Sequence, residues 1–314
     1  MRGKQCLFAL LVAFAALFFQ GCTKKGGPGK PASIFETIAA NPDYSFLTAA
    51  VIKAGLKDAL DAKSKEGLTL FAPGNKAFIA AGFKTAGDLA ALPDTTLAAI
   101  LLYHALGSTV KAGQIPQATN TPVTTLNGKP VYVTKTPAGK VFVNGSAVVK
   151  ADIICTNGVI HDIDHVLIPA VGTIVQTAQG NSSLSLLVAA VLRASQGSTN
   201  VVSVLSGTGP FTVFAPTNQA FINAGFPDVQ TIDHADPNTL TAILTYHVIA
   251  GRIFSSDLVD KSMSATVNGE PVTILLSSGP QVKGKNNASP SNIIAANIVT
   301  TNGVVHVIDQ VLLP

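Results

Sequence analysis

The chain carries one unit twice, and that duplication constrains its fold more than any other feature. LTLFAPGNKAF (Leu68–Phe78) matches FTVFAPTNQAF (Phe211–Phe221), 143 residues further on. ILLYHA (Ile100–Ala105) matches ILTYHV (Ile243–Val248) at the same spacing. NGVIHDIDHVLIP (Asn157–Pro169) matches NGVVHVIDQVLLP (Asn302–Pro314), 145 residues further on. Upstream, Ser45–Ala54 matches Ser185–Ala194 at a spacing of 140. A spacing that drifts this little implies short loop insertions between two homologous domains, and the period is too long for a solenoid. At ~100–200 residues per domain, 314 residues also suggest two. The expected boundaries are 33–169 and 172–314, with only Ala170 and Val171 between them.

Each copy reads as helices first and strands later. Residues 34–62 are Ala-rich with apolar spacing near 3.6, which predicts helix. An apolar strand follows at Leu68–Phe71, stopped by Pro73, then a short helix with Asn75 or Thr217 as its cap. Asp94 precedes the next helix, which aligns Leu97, Ile100, Leu101 and His104. In the second copy Asp236-Pro237 opens the same helix, with proline at its favoured first position. Beyond Thr121 the chain is strands and turns. Asn127-Gly128, Ala138-Gly139 and Asn144-Gly145 each sit between β-rich runs and predict hairpins. The expected fold class is α+β.

Residues 1–21 read as a removed leader. Arg2 and Lys4 precede an apolar run from Leu7 to Phe19, too short for a membrane span of ~20 residues but suited to a signal-peptide core. Gly21-Cys22 fits a bacterial lipoprotein cleavage site, so Cys22 is the expected lipidation residue, although Phe19 and Gln20 depart from the usual pattern. Multiple acyl chains at ~0.8 kcal/mol per buried CH2 would anchor it stably. Thr23, not Asp, follows the cysteine, which predicts the outer membrane in a Gram-negative cell. Residues 22–32 are polar and rich in Gly, Pro and Lys and read as a flexible tether. No apolar tail follows the last strand, so no C-terminal anchor is expected. Of three cysteines only Cys155 would remain free in the mature chain, which leaves no intramolecular disulfide.

The three repeated blocks together resemble the fasciclin domain family, whose pattern joins a T-hydrophobic-FAPTNxAF block, a Tyr-His pair in a helix and a closing NG-hydrophobic-IHxIDxVLLP strand. Gly74 stands where the family usually has threonine, as Thr217 does in the second copy. The resemblance implies two tandem domains, each a β-sandwich or wedge with helices packed around it. It also implies extracellular or surface adhesion modules acting on matrix, cell-surface proteins or glycans, with the Tyr-His region as an adhesion contact in related domains.

On the residues themselves, Tyr103, His104, Tyr246 and His247 are the candidate interaction or structural motif. His104 lies seven residues from Leu97 on an apolar face, which favours a buried, hydrogen-bonded ring. His161, Asp162, Asp164 and His165 look like a metal or catalytic cluster. Strand alternation would put the histidines on one face and the aspartates on the other, and the second copy carries Val307 and Gln310 in place of Asp162 and His165. No metal, cofactor or catalytic residue is therefore expected. The Asn-Gly pairs at 157–158 and 302–303 read as turns. Cys155 reads as a small buried apolar residue.

G-x-S-x-G, G-x-G-x-x-G, Walker A and H-E-x-x-H motifs do not occur, nor does Arg-Gly-Asp. Twenty-one Lys and Arg against 17 Asp and Glu, without a basic block, argue against nucleic acid. The expected protein is a non-enzymatic, surface-anchored adhesion lipoprotein. The alternative is an outer-membrane carbohydrate or small-ligand binder. Duplication on one tether favours adhesion, because two weak sites gain effective concentration on a multivalent surface.

Overall fold

The computed structural model describes residues 32–63 and 65–314. The leader, Cys22 and most of the tether lie outside the described residues. The two repeats have the same topology. In the first, the strands are β1 (Leu68–Pro73), β2 (Ala105–Leu106), β3 (Thr121–Thr124), β4 (Pro130–Lys135), β5 (Val141–Val143), β6 (Ser146–Cys155) and β7 (Gly158–Ile163). In the second they are β8 (Phe211–Pro216), β9 (Val248–Ala250), β10 (Met263–Ala265), β11 (Pro271–Leu275), β12 (Gln281–Lys283), β13 (Ser291–Thr300) and β14 (Gly303–Ile308). The first sheet runs β2-β1-β7-β6-β5-β4-β3, and the second repeats that order from β9 to β10. One pair in each sheet is parallel: β1 with β7, and β8 with β14.

The wedge expected for each copy is one hydrogen-bonded sheet whose register shifts twice along β6 and twice along β13. Bulges of this kind bend a strand and increase its twist. Each copy has two apolar cores, because alternate residues of its first strand face opposite ways. Leu70 and Ala72 pack with Ile34, Leu47, Leu97 and Ile160 under the helices. Phe71 points the other way, into Tyr103, Val131, Val143 and Ile163 between the strands. Phe214, Tyr246, Val272 and Ile308 repeat that second core.

The three predicted hairpin turns connect β3 to β4, β4 to β5 and β5 to β6. The predicted helical stretch 34–62 is divided. Ile34–Ala39 is helix, Pro42–Tyr44 is a 3-10 turn, and Ser45–Lys53 and Lys57–Asp61 are further helices. Pro42 starts the break because it has no N–H to continue the ladder. β1 extends two residues past Phe71 and ends on Pro73, opposite Ile163. Asp236 caps the second copy's helix Pro237–Tyr246 as expected, accepting from the Thr239 N–H at 2.9 Å. In the first copy Asp94 is the first helical residue and Pro93 occupies the cap without a side-chain bond.

The described residues from Ala32 onward form one compact unit. Side chains of the two repeats meet in it. Arg252 lies over the Tyr132 ring at 4.1 Å from its centroid, and Tyr132 packs against buried Phe254 at 6.0 Å. Asn120 Nδ2 donates to the Arg252 carbonyl at 2.7 Å and to Asp257 Oδ2 at 3.0 Å.

Candidate functional site

The Tyr-His pairs end the helices Asp94–Tyr103 and Pro237–Tyr246, and both lie inside the protein. His104 and His247 are each 1% exposed. Leu167 N–H donates to His104 Nε2 at 2.9 Å, so the ring proton sits on Nδ1, which donates to the Ile100 carbonyl at 2.8 Å. His247 repeats this with Leu312 N–H at 2.9 Å and the Ile243 carbonyl at 2.8 Å. Each ring thus fills an orphan carbonyl at a helix C-terminus and ties it to the closing VL-hydrophobic-P segment. Burial holds both rings neutral by pushing their pKa down to about 4, which the backbone bond only partly opposes. The tyrosines are equally enclosed. Tyr103 donates to the Pro130 carbonyl at 2.9 Å and accepts from Asn144 Nδ2 at 3.0 Å. Tyr246 donates to the Pro271 carbonyl at 2.8 Å and accepts from Lys285 N–H at 2.9 Å. A macromolecular partner reaches none of these four side chains without opening the domain.

The 161–165 cluster does not converge, and the alternation expected of it fails because β7 ends at Ile163. His161 is buried, donates Nε2–H to the Val110 carbonyl at 2.8 Å and stacks on Phe71. His306 makes the same bond to the Ile253 carbonyl, and its ring lies tilted against Phe214 at 5.7 Å. Past the strand end, exposed His165 instead meets Asp164 at 2.7 Å. Burial alone would raise the Asp164 carboxyl, but bonds from His165, Ser146 and Ala147 hold it below its ordinary value. Asp162 is raised by its own burial and by Asp43. Among the described residues no group of three or more His, Cys, Asp or Glu is placed to hold a metal ion.

Other repeated polar residues act as internal ties. Asn157 is more than a turn residue: it is buried, accepts from Ile34 N–H at 2.9 Å and donates to the Leu60 and Ala62 carbonyls. Asn302 makes the same three bonds with Ile174, Leu205 and Gly207. The following glycine is needed because a Cβ on Gly158 or Gly303 would run into the carbonyl of Leu68 or Phe211 on the parallel partner strand. Asn75 is not a cap. Its Oδ1 accepts from Phe46 N–H at 3.0 Å, and Asn218 likewise holds Leu186. Thr217 is the cap of its helix, accepting from Ala220 N–H, whereas Gly74 provides no side-chain bond. Cys155 is buried with Sγ 3.3 Å from Thr37 Oγ1, and burial pushes its thiol pKa up.

The surface offers a different feature. In the second copy an open groove of about 950 Å³ lies between the 3-10 turn Ser182–Leu184, the helix Asn218–Asn223, the start of β13 and the Asp309-Gln310 pair. Three other cavities, at about 30, 30 and 100 Å³, are small and almost wholly apolar. Sequence reasoning did not find the groove. Its signal was the difference between the copies: Ser183, Gln219 and Gln310 stand where the first copy has Asp43, Lys76 and His165. The Tyr132–Arg252–Phe254 contact was missed for a related reason, because Thr109 and Lys111 occupy the matching positions of the first copy.

Two α+β repeats with one topology and the same internal ties define a tandem fasciclin-domain protein. The fasciclin-domain profile matches residues 42–169 and 184–314, and the chain belongs to that family. Protein sll1483 of Synechocystis sp. is 41% identical over 143 residues, covering 45% of this chain and 73% of that one. Human periostin is 30% identical over 195 residues, covering 60% of this chain and 21% of periostin. A solved FAS1 domain pair from the insect cell adhesion molecule Fasciclin I aligns over 86% of this chain and 96% of its own. It shares 19% identity, with a TM-score of 0.41.

Proposed function

We propose that this is a non-enzymatic adhesion protein, secreted across the inner membrane and held at the outer membrane or cell surface by lipid on Cys22. Its partners are extracellular matrix, cell-surface protein or glycan, and the tandem domains act as one binding unit. Nucleic acid is not a partner. One observation carries this reading: the repeated polar residues of the family motifs are used to hold the fold. His104, His161, Asn157 and Asp164 bond to backbone within their own domain, as do their second-copy counterparts. Such a chain is a rigid scaffold whose work is done by surface that varies. Membership in a family that includes a cell adhesion molecule supports the same reading. No helix among the described residues is long and apolar enough to cross a membrane, so attachment in this proposal rests on Cys22.

The test is a pull-down with the delipidated two-domain chain against matrix proteins, glycans and whole cells, beside a Cys22→Ala form expressed in the native host. Retention of a partner by the soluble chain, together with release or blocked processing of Cys22→Ala, is the expected result. Failure to retain any of them, or unchanged mass and membrane association of Cys22→Ala, contradicts it. A carbohydrate-binding lipoprotein is the second reading, favoured by the groove of the second copy, which is lined mostly by hydroxyl, amide and aliphatic side chains.

A further inference from the structure

We infer that the groove of the second copy is a binding site for an uncharged polysaccharide, an inference that rests on the binding-protein reading and gives it a place and a ligand class. The groove is preorganised. Asn218 is held by Leu186 N–H, the Ser182 carbonyl and Ser185 Oγ, at 2.9, 2.9 and 3.0 Å. Asp309, at the opposite wall, accepts from Ser291 Oγ and from the N–H and Nδ2 of Asn292. Gln310 Nε2 is fixed to Ser289 Oγ and the Pro290 carbonyl. A ligand therefore meets walls that need little ordering, which lowers the entropic cost of binding.

Between these fixed walls, polar atoms remain unused. Ser182 Oγ, Ser183 Oγ, Gln219 Oε1 and Asn223 Nδ2 line the groove without a hydrogen-bond partner among the described residues. The two serine hydroxyls donate and accept, Gln219 Oε1 accepts and Asn223 Nδ2 donates, which together suit sugar hydroxyls that do both. Ile222 and Ile294 lie among them at 43% and 57% exposure and offer apolar contact to the C–H faces of a sugar ring.

Charge selects among ligands. No Lys, Arg or His lines the groove, and its one carboxylate, Asp309, is already engaged. Sulfated and uronic-acid chains therefore find no counter-charge, and Asp309 repels them. An extended peptide is less suited, because at Ser291 and Asn292 β13 pairs with β12 and also bonds to Asp309, so its start offers no free edge for a further strand.

The first copy keeps the aliphatic pair, as exposed Ile79 and Val149, and the carboxylate, as Asp164, but has Asp43, Lys76 and His165 at the positions of Ser183, Gln219 and Gln310. A groove without a cationic side chain, whose one carboxylate is engaged, is thus particular to the second copy. With no aromatic stacking surface in the groove, single contacts are weak and affinity depends on chain length.

Titration calorimetry on the delipidated two-domain chain tests this, with laminarin, dextran, amylose and cellohexaose as neutral probes and dextran sulfate as the charged one. The expected result is saturable binding of at least one neutral probe. It should weaken at least tenfold in the double variant Gln219→Ala, Ile294→Ala and stay unchanged in Val149→Ala of the first copy. Both altered residues are exposed, so circular dichroism and melting should match the parent. Four silent neutral probes, binding indifferent to the double variant, or preference for dextran sulfate would each overturn the inference. If the double variant loses a matrix protein while no neutral probe binds, the groove is a protein site and the inference also fails. Where the neutral probes fail, cell adhesion that survives the double variant leaves the wider adhesion reading standing while the groove assignment falls.

Discussion

Two buried imidazoles, those of His104 and His247, decide much of this protein's behaviour at the level of single residues. His104 and His247 are neutral in the fold with a pKa of about 4, against about 6.5 when unfolded. Between those values the unfolded chain binds a proton at each position and the folded chain does not. Their contribution to stability is complete above pH 6.5 and is lost as the pH falls toward 4, at roughly 1.4 kcal/mol per pH unit per histidine. Urea midpoints should therefore be lower at pH 5 than at pH 7, and the difference should shrink in His247→Ala. Equal midpoints at the two pH values would show that the rings titrate normally. Gly158 makes a second point. Its alanine variant drives a Cβ into the Leu68 carbonyl, and a loss of roughly 2–4 kcal/mol in the first copy is expected. A melting temperature within error of the parent would contradict the close strand approach. The sequence marked both features by repetition, but it could not say that Asn157 reaches three backbone groups across 95 or more residues, because nothing local encodes those partners.

Among the elements, caps and strand ends were the least legible part of the chain. Strands, hairpins and the order helices-then-sheet follow from period and turn chemistry, and the Asn-Gly and Ala-Gly pairs sit where a tight reversal needs them. The Asn75 cap was misread because its side chain is taken by another element, the helix Ser45–Lys53. The 161–165 alternation failed because the strand stops at Ile163, and a short apolar run does not show its own end. The vacant cap suggests a stabilising change. Gly74 has φ −74 and ψ 171, which any residue adopts, and a Cβ there meets only ordinary contacts. Gly74→Ser adds an acceptor for the helix and removes unfolded-state freedom, which should raise stability by roughly 0.5–1 kcal/mol. Chemical denaturation of the variant checks this, and a decrease would mean that the site is crowded.

At the scale of the whole molecule, the two repeats meet through an aromatic and arginine contact of the kind that carries most of the energy at interfaces. Tyr132 covers Phe254 and lies under Arg252, while Asn120 reaches two groups of the other copy. Tyr132→Ala should uncover Phe254, separate the melting of the two copies and broaden interdomain distances in small-angle scattering. A single unchanged transition and an unchanged scattering curve would show that the copies are held otherwise. None of this contact was visible in the repeat, since it is built from residues that the copies do not share. In the groove, Asn218, Ile222 and Asp309 are shared with the first copy, and Ser183, Gln219 and Gln310 are the departures. Repetition revealed what holds each domain, and the departures from repetition mark what distinguishes one copy from the other.

The central claim is that the Tyr-His motif builds the domain and that surface residues do the binding. The direct measurement is melting and cell adhesion of His247→Ala, with adhesion assayed at a temperature where circular dichroism shows the variant folded. Removing the ring leaves the Ile243 carbonyl and the Leu312 N–H unpaired, at roughly 1–3 kcal/mol plus a packing loss. A lower melting temperature with adhesion per folded molecule unchanged is the predicted result. Loss of adhesion with no change in melting would contradict it and make the Tyr-His pair a contact site.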